Sequence, residues 1–581
     1  MPKAALYRDA DLRAAANAAG CNYWPVYTRE LCQQMGLPCD ELPRSGLRAE
    51  ELAQYRVLFL PDLEPQYLRT EEKQALHEWV AGGGLLIGFA TGGLHDLFGV
   101  KLAETLPQQP DAFTPVAALR YCDAELSRPL LPPGEEDTPL PIIAPVKLIA
   151  RHEGRELARL LSLPGRDLRH PAVTLREVGQ GQALYFCFDV AHSLWAMHHG
   201  RPILDDYDGD GMLRMSDAMV LRPFPTSLPY ADLLVFLLRD LIARRGLVFL
   251  DPLPPMADGS TPDALFYYGG DDEHQPEFQV RSSDTMKSLG LPYHVNLMPD
   301  PEGAFALSKA EFDHLRANGH EPSLHFNFIE GVTHPYAFTR RDVQRQVDWY
   351  EAAFGELPVC TVMHYTAWCG WTEPAEWLAG AGVLADNSRF ISYSPPSNPV
   401  NQVGFGFGTA YPFFHYHDWR KDNDRIRFLG LPIGGYEAGY RGDEVDFRAL
   451  RRALDLARYW RLTMNLFYHP VYVATYPACV EALRQGLAYL ERTGLKALHY
   501  GPDQVTKWWL ARSEVKLEET ADGYHVECHW ESGCVVRLAW EGAAPPVTAD
   551  GLPCFTSVRE EHGVRWLYVA VPTGVHEVVF G

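Results

Sequence analysis

Twice along this chain, short runs of purely apolar residues alternate with amphipathic helical segments. That alternation is the pattern of a parallel sheet covered by helices. In the first ~250 residues, Tyr55–Leu60 reads as a buried strand ending in a turn. A helix follows from Thr70, the expected N-cap, to Ala81, and is stopped by Gly82-Gly-Gly84. Leu85–Ala90 and Ala183–Phe188 read as further strands of the same sheet. The Pro-rich stretch Asp251–Met256 closes this unit, and a second alternating unit begins with the strand Ala264–Tyr268. After residue 510 the pattern changes to short β runs such as Tyr524–Cys528 and Trp566–Val571. The expected fold is therefore a multidomain α/β chain. An α/β sandwich with a parallel sheet spans 1–250, a distorted (β/α) barrel 258–510, and a small β-sandwich 511–581.

Charge narrows the partners. Lys plus Arg number 52 against 75 Asp plus Glu, a net charge of −23. Such a balance argues against a duplex nucleic-acid binder, which needs a positive surface to displace counterions, and against docking on anionic lipid. No run approaches the ~20 apolar residues of a membrane span, and the N-terminus lacks the apolar core of a signal peptide. The 11 Cys are scattered, with no C-x-x-C pair, so reduced thiols and a cytoplasmic location are expected. Aromatic residues make up 12% of the chain, enough to line a sugar-binding cleft as well as to fill the core.

In the first unit, Thr91-Gly-Gly-Leu-His-Asp-Leu-Phe-Gly99 after a buried strand resembles the class I glutamine amidotransferase-like domains. Enzymes of that family carry a Cys on this turn, where a helix N-terminus lowers its pKa. Here the turn offers Ala90, Thr91 and Gly92. The expected role is structural or homo-oligomerising rather than amidotransfer. Near its end, Asp206-Tyr-Asp-Gly-Asp-Gly211 with Asp217 at the twelfth position has calcium-loop spacing, although Asp replaces the usual Glu. An acidic surface loop explains the same residues.

In the second unit, Tyr268-Gly-Gly-Asp271-Asp272-Glu273-His274 follows a strand directly. Adjacent carboxylates at a strand end repel unless a cation or shared proton compensates, and strand ends of α/β barrels are where catalytic groups gather. Further on come Gly319-His-Glu-Pro-Ser-Leu-His325 and Leu466-Phe-Tyr-His469-Pro470. In this order and spacing, the three resemble the polysaccharide deacetylase (NodB-homology) family of carbohydrate esterases. The resemblance implies Asp271 as general base, Asp272 and His325 as metal ligands, and His469 as general acid. It also implies a divalent metal, zinc first. The family's second metal histidine falls on Ile329, which cannot ligate, and Phe326 replaces its Ser or Thr. Catalytic zinc normally takes three protein ligands, so a substitute is expected: His364 first, then His334, with His274 weaker. Trp368, Trp371, Tyr411 and the His415-Tyr-His417 run are expected to grip sugar at the barrel mouth.

The leading expectation is thus a metal-dependent hydrolase removing N- or O-linked acetyl groups from a carbohydrate. The alternatives are a glycoside hydrolase, with Glu273, Glu373 or Glu437 joining Asp271 as paired carboxylates, and a degenerate carbohydrate-binding protein.

Overall fold

In the computed structural model, residues 3–61, 63–64, 66–272, 274–332, 334–391, 402–440 and 447–581 are described. Contacts group the chain into two units. One comprises Met1–Met197, Tyr230–Thr261 and Arg512–Gly581; the other comprises His198–Pro229 and Pro262–Ala511.

The first unit is built on a nine-stranded sheet. Its parallel half runs through Cys39–Pro43, Lys3–Arg8, Tyr55–Leu60, Leu85–Phe89 and Gly181–Phe186; the last three carry the apolar runs read as strands, and the first two are additional. Asp167–Val178, Arg155–Leu161, Ala117–Tyr121 and Leu140–Ile142 extend it antiparallel, so the sheet is mixed. The predicted helix is present over Thr70–Ala81, but its N-cap is Arg69. Glu72 reaches back to accept the Arg69 N–H at 2.8 Å, closing the cap one residue earlier than expected.

Two of the expected domain boundaries move, for identifiable reasons. The strand Val248–Leu250 pairs with Cys534–Ala539 in a four-stranded antiparallel sheet, and a five-stranded one lies beside it in sequence. Buried Arg512 donates to the carbonyls of Gln33, Leu250 and Asp251 at 2.7–3.1 Å, and buried Arg537 pairs with Asp251 at 3.3 Å. The C-terminal β segment therefore belongs with the first unit, and the Pro-rich stretch is interior rather than a linker. Residues 198–229 likewise join the barrel unit, tied by β-bridges from Ile203 to Gly370 and from Arg214 to Ala367.

The second unit is a closed barrel of seven parallel strands: Ala264–Asp272, His294–Leu297, Glu321–Phe326, Cys360–Met363, Ala385–Arg389, Arg425–Tyr436 and Thr463–Phe467. The seventh strand pairs with the first, which closes the ring. Helices alternate with the strands, each burying one stripe. In Arg448–Trp460 the buried positions Leu450, Ala453, Leu454, Ala457 and Trp460 recur at three- and four-residue spacing. Among the described residues no helix is long and apolar enough to cross a membrane.

Candidate active site

The barrel's parallel strands deliver their C-terminal ends to one rim, and the polar residues singled out in the sequence gather there. Asp271 is the last residue but one of the first strand and Asn296 sits on the second. His325 lies near the end of the third, and His364 follows the fourth. Glu437 follows the sixth strand, and His469 comes two residues after the seventh.

Local packing explains how His469 reaches this rim. The first strand ends Gly269-Gly270-Asp271, and a Cβ on Gly270 would lie 1.8 Å from the Tyr468 carbonyl oxygen. Only glycine lets the chain leaving the seventh strand cross so closely. The Tyr468 N–H donates to the Gly269 carbonyl at 2.7 Å, and its carbonyl accepts from the Tyr293 hydroxyl. His469 follows immediately.

Its partner is Glu437, which is fully buried with a left-handed backbone, φ 49°. Such a conformation is unusual for a residue other than glycine, Asn or Asp, and needs support from its surroundings. Support comes from the Glu437 N–H, which donates to the Phe467 carbonyl at 2.9 Å. Glu437 Oε1 accepts the His469 backbone N–H at 2.8 Å and faces His469 Nδ1 at 2.6 Å. With Nδ1 donating, Nε2 is the nitrogen left to exchange a proton at the mouth; Tyr436 Oη stands 3.4 Å from it. Burial raises the proton affinity of Glu437, against the opposing pull of His469.

On the other side of Asp271 is a histidine pair. Buried His325 directs Nδ1 to the Val362 carbonyl at 3.2 Å, with Asp271 Oδ1 3.7 Å away. Its Nε2 lies 3.1 Å from His364 Nδ1. Burial first, then the neighbouring His364, holds the His325 imidazole neutral by depressing its pKa well below the usual range. Asn296 Nδ2 approaches Asp271 Oδ1 at 3.4 Å.

Asp272 goes elsewhere. Successive residues of a strand face opposite ways, and the buried Asp272 carboxylate accepts from the Gln275 N–H at 3.0 Å and from the Gln279 side chain. His334 is exposed. His274 lies near enough to His325 to bear on its charge. Glu273 lies outside the described residues. Among the described residues, no third His, Cys or carboxylate joins His325 and His364 in one coordination sphere. The expected donor set Asp272, His325 and His364 therefore does not converge, and it falls short of the three ligands that catalytic zinc takes.

Two other groups do bring three donor atoms together. In the loop after residue 205, Asp206, Asp208 and Asp210 converge, with Asp217 behind them. Arg214 pairs with Asp210, and Arg222 lies 3.5 Å from Asp208 and 3.7 Å from Asp217, so guanidinium groups supply positive charge there. His294, Glu321 and Asp503 form the second group, at the opposite end of the barrel from Asp271.

The expected sugar platform is corrected. Trp368, Trp371 and Tyr411 are buried, as is His415. Trp371 Nε1 donates to the Gly200 carbonyl at 2.9 Å, and the Tyr411 hydroxyl to that of Arg461 at 3.1 Å. Trp368 covers buried Arg389, whose guanidinium carbon is 4.8 Å from the ring centroid. These rings pack the fold. Glu373 accepts the Trp371 N–H at 2.9 Å, away from Asp271 in the fold's fourth loop. In the first unit, the turn compared with amidotransferases places Ala90 at φ 53°, with no thiol on it.

No family model and no curated protein match this chain. Among solved structures it is similar in part to Gan42B, a GH42 β-galactosidase from G. stearothermophilus, at 20% identity over 32% of this chain and 27% of that one, with a TM-score of 0.25. A β-galactosidase from Bacillus circulans sp. alkalophilus matches at 18% identity over 34% and 30%, TM-score 0.25. The α-L-fucosidase isoenzyme 2 of Paenibacillus thiaminolyticus matches at 15% over 43% and 36%, TM-score 0.26. The chain spans about 30% of the length of the β-galactosidases it matches. Overlaps this partial leave the chemistry to be read from the site itself.

Proposed function

We propose that this protein is a carbohydrate-active hydrolase that removes an acyl group, with Asp271 and the Glu437–His469 pair as its acid–base groups. The observation that carries the reading is the 2.6 Å contact between His469 Nδ1 and the buried Glu437 carboxylate, at the same rim as Asp271. A carboxylate on Nδ1 fixes the imidazole's tautomer and stabilises its protonated form, as catalysis by histidine requires. The order of the Asp271, His325 and His469 motifs, similar to that of carbohydrate deacetylases, supports the substrate class.

In this reading Asp271 takes a proton from water as the oxygen attacks the acyl carbon. The new C–O bond forms, the bond to the sugar nitrogen or oxygen breaks, and His469 gives its Nε2 proton to the departing atom. Proton transfers of this kind contribute roughly 10²- to 10⁴-fold each. No step is routed through a metal, because the expected donors do not converge.

A second reading rests on Glu437, whose raised proton affinity is the property of a glycosidase general acid. One experiment separates the two: acetylated sugars and aryl glycosides are offered to the wild type and to Glu437→Gln. The acyl reading expects acetate release, reduced but still measurable in Glu437→Gln with an altered pH profile. Glycoside cleavage that Glu437→Gln abolishes would establish the second reading and sink the first.

A further inference from the structure

The first unit carries a pocket that the chemistry of the barrel rim does not use. It lies at the starts of the strands Tyr55–Leu60 and Leu85–Phe89, the opposite end of the sheet from the turn at Ala90, Thr91 and Gly92. Its volume is about 710 Å³, within the usual range of sites that take small molecules. Arg56, Arg244, Arg245, Trp79, Gly84 and Glu78 are among the residues that line it.

Three guanidinium groups around one pocket stand out in a chain of net charge −23. None of the three forms an ion pair among the described residues, although a chain so rich in acids offers many partners. Two are fixed by carbonyl groups, which hold them in place without neutralising them. Arg56 Nη1 donates to the Arg245 carbonyl at 3.1 Å and reaches that of Gly246 at 3.4 Å. Arg244 Nη2 donates to the Gly563 carbonyl at 3.2 Å. Arg245 is half-buried, and its Nη2 is shut off from solvent with no hydrogen-bond acceptor. Burial works against its charge, and Glu177, beyond ion-pair reach, offsets that only in part. A guanidinium withdrawn from water calls for an anion. Glu78 does not serve, because its carboxylate accepts from the Gln74 side chain at 2.8 Å.

Trp79 gives the pocket a second character. The half-buried indole lies against Gly84, where a Cβ would come within 2.5 Å of the ring. Only glycine lets the ring settle there. The indole Nε1 donates to the Tyr55 carbonyl at 3.0 Å, which fixes the ring's orientation. A held indole offers a planar base a stacking surface, and guanidinium groups match phosphate oxygens in both charge and geometry.

We infer that this pocket binds a nucleoside di- or triphosphate, with its phosphates on Arg56, Arg244 and Arg245 and its base on Trp79. The inference is independent of the reading of the barrel rim.

Calorimetry on the full chain in magnesium-free buffer tests it, with ADP, adenosine and pyrophosphate as probes. ADP is expected to bind more tightly than either fragment, with an affinity that falls as salt rises. Arg245→Met should weaken ADP and pyrophosphate by roughly tenfold or more. Arg244→Gln, at an exposed position, should act in the same direction and keeps the test open if the first variant folds poorly. Trp79→Leu should weaken ADP by roughly five- to tenfold and leave pyrophosphate unchanged. In thermal unfolding, ADP should raise the Tm of the wild type more than that of either arginine variant. No heat with ADP at millimolar concentration, or arginine variants that bind ADP like the wild type, overturns the site. Pyrophosphate bound as tightly as ADP overturns the nucleoside assignment.

Discussion

The two ends of the barrel carry similar chemistry in opposite conditions. At the mouth stand Asp271, His325, His364, Glu437 and His469; at the starts of the second and third strands stand His294 and Glu321, joined by Asp503 from the helix Pro502–Glu514. The second set has the tighter convergence of donor atoms, yet its two carboxylates are committed to the backbone. Glu321 accepts the N–H groups of Asp503 and Gln504 at 2.8 and 3.0 Å, capping the first turn of the helix Pro502–Glu514. Asp503 Oδ1 accepts the Cys360 N–H at 3.0 Å and faces His294 Nε2 at 3.2 Å. These contacts hold the third and fourth strands, the helix and His294 together from inside. At the mouth, the imidazole of His469 is oriented by its carboxylate through Nδ1 and presents Nε2 to the rim. Proximity of titratable groups therefore does not mark a reactive site by itself. What distinguishes one is an oriented group whose proton-carrying atom is presented at the rim.

If this contrast is right, substitutions at the two ends should fail in different ways. The largest effect is expected from His469→Ala, which should lower kcat by about 10²- to 10⁴-fold while leaving the urea midpoint near that of the wild type. A parallel loss of stability would mean His469 is structural like His294. Next comes Asp503→Ala in the cluster with His294 and Glu321. Removing the carboxylate leaves the buried Cys360 N–H and His294 Nε2 without their partner, at a cost of about 1–3 kcal/mol each, read from urea unfolding, with kcat per folded molecule unchanged. A drop in kcat without destabilisation would instead put function at that end.

A smaller effect concerns pH. Burial, and then the charge of Asp503, raises Glu321 above the ordinary glutamate value of ~4.3. Between that value and its own, the folded chain holds a proton that the unfolded chain has released, so stability falls as pH rises through the interval. Glu321→Gln keeps a neutral side chain throughout and should flatten the decline measured by thermal unfolding. An unchanged slope would show that the two carboxylates do not share the penalty. Tyr436→Phe should matter least. Its hydroxyl is 3.4 Å from His469 Nε2, so a change in kcat of about twofold or less is expected. A tenfold loss would make Tyr436 a positioning residue for the proton donor.

The strand-end residues of the first, third and seventh strands were legible because short motifs mark where apolar runs stop. Glu437 was legible only as one acid among several. A partial signal for it existed: Gly434-Gly435 lies shortly before it, with Tyr436 between, whereas Gly269-Gly270 directly precedes Asp271, and a Cβ on Gly434 would come within 2.7 Å of Met464. Both glycine pairs mark places where neighbouring strands crowd near the rim. The arginine pocket was not legible, since Arg56 and Arg245 are 189 positions apart and neither belongs to a motif. Trp368, Trp371 and Tyr411 were misjudged because composition cannot tell a covered ring from an open one.

By itself, the sequence determined the layered α/β character of both units, through the spacing of apolar residues, and placed Asp271, His325 and His469 at strand ends. Which of two adjacent aspartates faces the histidines, which carboxylate orients His469, and where the chain's last 70 residues attach were decided only in three dimensions. Period and punctuation act over a few residues, whereas orientation and partnership depend on strands that meet after hundreds of intervening positions.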